Sequence, residues 1–191
     1  MILALLAGCA PLIAGAVPTP LPAGQYGEVG IAAHGGHVPV HIRDGLDVRQ
    51  AYPTVGGTLY ARAEFEDGIG VGTRIDLGPT QYLAGGAWVR IALHRRSNSY
   101  IGVQGEGGWA YAELSVPAAF RLGRKSWFWV RPGARAALVP MGLLPIGASF
   151  RLGETFSLHT EVVAMTPLLM DGWAQVNPVG VTGGLGVSTH F

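Results

Sequence analysis

The chain has 191 residues, enough for one domain, and a formal net charge of +1. That balance excludes the strong positive field on which nucleic-acid binding relies, so no nucleic-acid partner is expected. Charged residues make up only 13% and hydrophobic residues 49%, with 30 glycines. After residue 17 no apolar run reaches the roughly 20 residues of a membrane-spanning helix. The apolar surplus therefore belongs either inside a soluble β-sandwich or on the lipid face of a barrel.

The chain opens "MILALLAGCA". Leu6-Ala7-Gly8-Cys9 resembles a bacterial lipoprotein signal. The resemblance implies that residues 1–8 are removed and that Cys9, the one cysteine, carries lipid. Ordinary secretory cleavage after Ala14-Gly15-Ala16, a small-x-small site, is the alternative reading. An incidental apolar start is a third. "VPTPLPAG" holds three prolines in eight residues, so residues 9–23 are expected to be an extended tether.

From residue 24 to 191 the apolar spacing is two rather than 3.6, which predicts strands and no helix. Ten are expected, near 25–34, 58–66, 69–76, 86–95, 100–109, 111–122, 126–137, 143–152, 156–165 and 179–191. Glu66-Asp67-Gly68, Arg95 to Ser99, Gly123-Arg124-Lys125 and Gly153-Glu154-Thr155 are short polar hairpin turns. Longer links are expected at 35–57, 77–85 and 166–178. Short turns at one end and long loops at the other describe a transmembrane barrel, whereas a sandwich gives no reason for the alternation. "AAFRLG" at 118–123 returns as "ASFRLG" at 148–153, so one strand-to-turn device is used twice.

Each strand has two faces. Leu114, Val116, Ala118, Phe120 and Leu122 oppose Ser115, Pro117, Ala119 and Arg121. Leu59, Ala61, Ala63 and Phe65 oppose Tyr60, Arg62, Glu64 and Glu66. The polar face suits a lumen and the apolar face suits lipid. All six phenylalanines, Phe65, Phe120, Phe128, Phe150, Phe156 and Phe191, fall on the apolar face beside a short turn or at the last residue. They are expected to form an aromatic girdle at the turn-side membrane boundary. The same phasing turns Trp127 and Trp129 inward, which crowds that end of the lumen.

The closing "GLGVSTHF" resembles the final strand of bacterial outer-membrane β-barrel proteins, such as small barrels of the OmpX and OmpA type. The resemblance implies a closed antiparallel up-and-down barrel of about ten strands, with eight or twelve as alternatives. It places the chain in the outer membrane, with turns and termini in the periplasm. It also implies that Phe191 is an assembly signal read by the barrel-assembly machinery. Membrane lipid is then the surrounding partner; a loop partner is not identified.

Inward positions carry Glu28, Arg62, Glu64, Arg74, Arg90, Glu106, Glu113, Arg121, Arg131, Arg135, Arg151, His159 and Glu161. A barrel of eight to ten strands is barely wider than its own side chains, so these charges must pair or be hydrated. A charge-filled, structural lumen is the first expectation; a narrow wet pore for small solutes is the second. His34, His37 and His41 lie in the expected first loop, but zinc needs convergent ligands, and neither metal nor cofactor is expected. Ser157 and His159 share the lumen face and offer a third class, a lipid-acting hydrolase. They lie at the turn side, so no catalytic residue is assigned. The long loops, with Leu168, Leu169, Met170 and Trp173, either fold over the barrel mouth or form an outer aromatic belt with Trp109 and Tyr111.

Overall fold

The computed structural model describes residues 18–43, 47–78, 82–109, 111–137, 140–168 and 180–191. Cys9, Ala14-Gly15-Ala16, Leu169, Met170 and Trp173, singled out from the sequence, lie outside them. The described residues form ten antiparallel strands and no helix. We label them β1 (Gly27–Arg43), β2 (Asp47–Glu64), β3 (Ile69–Gly78), β4 (Tyr82–Arg95) and β5 (Ser99–Gly108). β6 runs in two pieces (Tyr111–Ser115, Ala118–Arg121), as does β7 (Ser126–Val130, Gly133–Ala136). β8 (Met141–Arg151), β9 (Phe156–Pro167) and β10 (Gly180–His190) complete the set.

Each strand pairs with the next, and β10 returns to β1, so the sheet closes. The closing register runs from Glu28↔His190 to His37↔Val181. Phe191 extends it. Its N–H donates to the Gly27 carbonyl at 3.1 Å, and its own carbonyl accepts from Gly27 at 3.1 Å and Tyr26 at 3.0 Å. Closure leaves no sheet edge, which is what a β-structure in lipid requires.

The breaks in β6 and β7 face one another. Pro117 and Pro132 have no N–H to give, so the ladder stops on both strands at the same height. It is bridged by Gly102 N–H to Pro117 O and Val116 N–H to Pro132 O, both 2.9 Å.

The wall alternates as the sequence pattern requires. Leu114, Val116, Phe120, Leu144, Ile146, Val181, Leu185 and Val187 are exposed, while Ser115, Ala119, Ser149, Thr182, Ser188 and His190 are buried. The six phenylalanines are all exposed and all stand at the turn end. The expected turns hold.

Two of the expected long loops are instead largely strand. β1 continues to Arg43 and β2 starts at Asp47, so the 35–57 link shrinks to residues around 44–46. The 77–85 link shrinks in the same way, because β3 reaches Gly78 and β4 starts at Tyr82. Glycine, proline and histidine there read as loop, but pairing with a neighbour overrides local preference. Among the described residues, β1 meets β10 only as far as His37, and β2 meets β3 only from Gly57. Among the described residues, 38–43 and 47–52 pair with each other alone. They make a two-stranded ribbon that leaves the loop-side rim by about 20 Å, at roughly 3.3 Å per residue.

Candidate functional site: the lumen

The lumen is built from alternate residues of each strand, even-numbered in β1–β5 and β10 and odd-numbered in β6–β9, and its charges fall into two clusters. At the turn side Glu28 of β1 is fully buried. Arg62 donates to it from Nε at 2.6 Å, and the Tyr60 hydroxyl donates at 2.8 Å. His159 Nε2 lies 3.3 Å and His190 Nδ1 3.7 Å from its two oxygens. Each histidine also meets a serine. Ser157 Oγ is 2.7 Å from His190 Nε2, and Ser188 Oγ is 2.7 Å from His159 Nε2. Glu64 takes Arg90 at 2.7 Å and Arg62 at 3.5 Å.

The second cluster spans β3 to β7. Glu106 holds Arg74 at 2.5 Å, and the Tyr111 hydroxyl donates to it. Arg131 reaches Glu106 at 3.9 Å and Glu113 at 3.4 Å. Arg135 donates to Glu113 at 2.7 Å, and its guanidinium lies 4.8 Å from the Tyr111 ring. Asp76 takes a hydrogen bond from Thr58 and lies 3.7 Å from Arg74.

Many of these contacts skip a strand. Arg90 on β4 reaches Glu64 on β2, Arg74 on β3 reaches Glu106 on β5, Arg131 on β7 reaches Glu106 on β5, and His159 on β9 reaches Glu28 on β1. A side chain that passes its neighbouring strand must cross lumen space, so the network occupies the bore. The shorter pairs, such as Arg90 with Glu64 and Arg135 with Glu113, combine Coulomb attraction with a hydrogen bond, whereas Arg131 meets Glu106 by Coulomb attraction alone.

Aromatic rings fill what the ions leave. Trp129, Tyr100 and Ala119 form a buried cluster, with Trp127 and Ala92 packed against it. The Arg90 guanidinium lies 5.4 Å from the Tyr100 ring and 5.1 Å from Trp88. The aromatic side chains lie close over glycines. A Cβ at Gly147 would strike Trp129, one at Gly72 would strike Trp88, and one at Gly86 would strike Tyr111. This close approach accounts for part of the high glycine content.

The sequence-selected charges Glu28, Arg62, Glu64, Arg74, Arg90, Glu106, Glu113, Arg131 and Arg135 meet in these two clusters, and Glu161 is buried on the same face. Arg121 does not join them. It is exposed and donates to the carbonyls of Gly123 and Arg124, holding its own turn. Tyr111 is also corrected: it is buried in the lumen, not part of an outer belt, whereas Trp109 is exposed. The three histidines lie on a strand, not in a loop. His37 lies three positions after His34, an odd step that puts them on opposite faces, His34 buried and His37 exposed.

Ser157 and His159 do not bond each other; each bonds a residue of β10. Both face the lumen, away from the lipid a lipid-acting hydrolase must reach. Tyr60 and, by period two from Phe191, His190 fall on the polar face in the sequence, but neither is counted there among the lumen residues; Asp76 and Gln104 were passed over. In the fold His190 lies opposite Glu28.

No family model matches the chain, and no curated protein matches it. Among solved structures it is similar to the NanC porin, with a TM-score of 0.52 at 8% identity over 85% of this chain and 100% of that one. The KdgM porin aligns at 0.46 and 10% identity over 84% of this chain and 99% of that one. Ail, the attachment invasion locus protein of Yersinia pestis, aligns at 0.40 and 14% identity over 87% and 99%. The NanC likeness bears on the fold alone, and there it agrees with the apolar outer wall, the closed ladder and the polar lumen. The chain is a closed, ten-stranded antiparallel β-barrel with the fold of outer-membrane barrels.

Proposed function

We propose that the protein is a non-enzymatic barrel with a shut lumen, a scaffold that presents the β1–β2 ribbon and the loops outside the cell. The strand-skipping ion pairs carry this reading. They fill the bore with partnered charge, and a transport channel needs water there instead. Swelling of proteoliposomes in small sugars and amino acids tests it. The expected rate equals that of protein-free liposomes; a clear increase for any small solute contradicts it.

One observation favours the second reading, a narrow pore for small solutes. Gln104 is fully buried, and neither amide atom has a hydrogen-bond partner among the described residues. Such groups call for water. Hydration around Gln104 is compatible with a shut lumen as long as the charge clusters on either side stay closed.

The same reading assigns two further roles. Phe191 serves as the assembly signal, and Phe191→Ala is expected to lower the yield of folded barrel from whole cells. Cys9 anchors the N-terminus to the periplasmic leaflet, and Cys9→Ser is expected to abolish metabolic labelling by a fatty acid.

A further inference from the structure

Residues 18–23 belong to the segment that reads as an extended tether, yet they do not lead away from the barrel. Pro18, Thr19 and Leu21 are buried. The Thr19 carbonyl accepts from Arg62 Nη1 at 2.7 Å, and the Leu21 N–H donates to Glu64 Oε2 at 3.2 Å. Both partners are lumen residues of β2. The chain then reverses through Gly24, whose φ is +81°, with Gln25 N–H on the Pro22 carbonyl at 3.0 Å. Positive φ suits glycine and strains other residues. The Gln25 side-chain amide donates to the Glu154 carbonyl in the β8–β9 turn at 2.9 Å, tying the reversal to the rim.

The composition fits a buried backbone. Pro18, Pro20 and Pro22 have no N–H, so a five-residue insert brings only two backbone donors into a site where each unpaired donor is costly. One of the two, that of Leu21, goes to Glu64. Proline also restricts the chain before it docks, which lowers the entropy lost on ordering.

We infer that residues 18–22 are an intramolecular plug that seals the turn-side mouth of the lumen. The plug rests on the shut-lumen reading and adds to it. The ionic clusters fill the bore, the Tyr100–Ala119–Trp129 cluster fills the mouth on one side, and the plug covers the side of β2. Arg62 and Glu64 are its receptor: one guanidinium for a carbonyl, one carboxylate for an N–H.

Thiol accessibility tests it, in a Cys9→Ser background so that the introduced thiol is the only one. Ser157, near the turn-side start of β9, is buried. Ser157→Cys in the full chain is expected to react slowly with a small charged methanethiosulfonate. Replacing residues 18–22 with five glycines and serines is expected to raise that rate at least tenfold while the barrel keeps its heat-dependent gel shift. Leu21→Asp, which sets a carboxylate beside Glu64, is expected to act in the same direction. Equal rates with and without the segment, in barrels that keep the gel shift, overturn the plug. A second pair needs no disruption of the segment: Leu21→Cys is expected to label slowly and Ala23→Cys, at an exposed position, quickly. Equally fast labelling of both also overturns it. Solute entry through the intact chain would instead defeat the shut-lumen reading, so the two failures are distinguishable.

Discussion

The two sides of this barrel wall are written by alternate residues of the same strands, yet they obey different rules. Outside, Leu185, Val187, Leu114 and Ile146 meet lipid, which accepts any apolar shape. Inside, Glu28, Glu106, Trp129 and Gly147 meet named partners, and few other residues could take those places. The outer face sets where the barrel sits; the inner face sets which barrel it is.

That difference can be broken most severely from within. Glu106→Ala strips a partner from Arg131 and Tyr111 and takes from buried Arg74 its nearest carboxylate, leaving Arg74 with Asp76 at 3.7 Å and Arg131 with Glu113 at 3.4 Å. Losing one partner of a buried pair costs about 3–5 kcal/mol, read as a lower denaturant midpoint by tryptophan fluorescence in detergent micelles. Removing the charges together, as in Arg74→Met with Glu106→Leu, is expected to cost less than Glu106→Ala. A larger cost for the double variant would mean that the ions matter as ions and not as space-filling partners.

From outside, only a charge should do comparable harm. Leu185, midway along β10, faces lipid, and Leu185→Arg is expected to cost about 2–4 kcal/mol in the same assay. Next comes a single methyl group in the lumen. Gly147→Ala places a Cβ against Trp129 and the Thr160 carbonyl, at about 1–3 kcal/mol for overpacking. The smallest effect belongs to Val187→Leu, which adds the same single carbon as Gly147→Ala but toward lipid, and should fall within about 0.5 kcal/mol. If Val187→Leu proved as damaging as Gly147→Ala, the two faces would not differ as described.

The same contrast explains what was legible in the sequence. Strand phase could be read because lipid enforces apolar character at every second residue, with Leu114, Val116 and Phe120 as the plainest case. The identity of the lumen charges followed from that phase. Their pairing did not, because Arg74 meets Glu106 across an intervening strand, and such a contact depends on curvature and register together. The ribbon at 38–52 was hidden by Pro39 and His41, which locally favour loop and, among the described residues, are paired only by the facing strand. Residues 18–22 were hidden for the opposite reason. A proline-rich stretch is stiff and donor-poor wherever it lies, and its composition does not say whether it lies in water or against Arg62.

The central claim is that partnered charge shuts this lumen, and single-channel recording of the purified full chain in planar bilayers tests it most directly. The account gives no discrete conductance steps above the bare bilayer for the intact protein, with openings appearing in Glu106→Ala if that barrel still inserts. Large, stable, uniform steps from the intact chain would contradict it and make the two charge clusters the walls of a working pore.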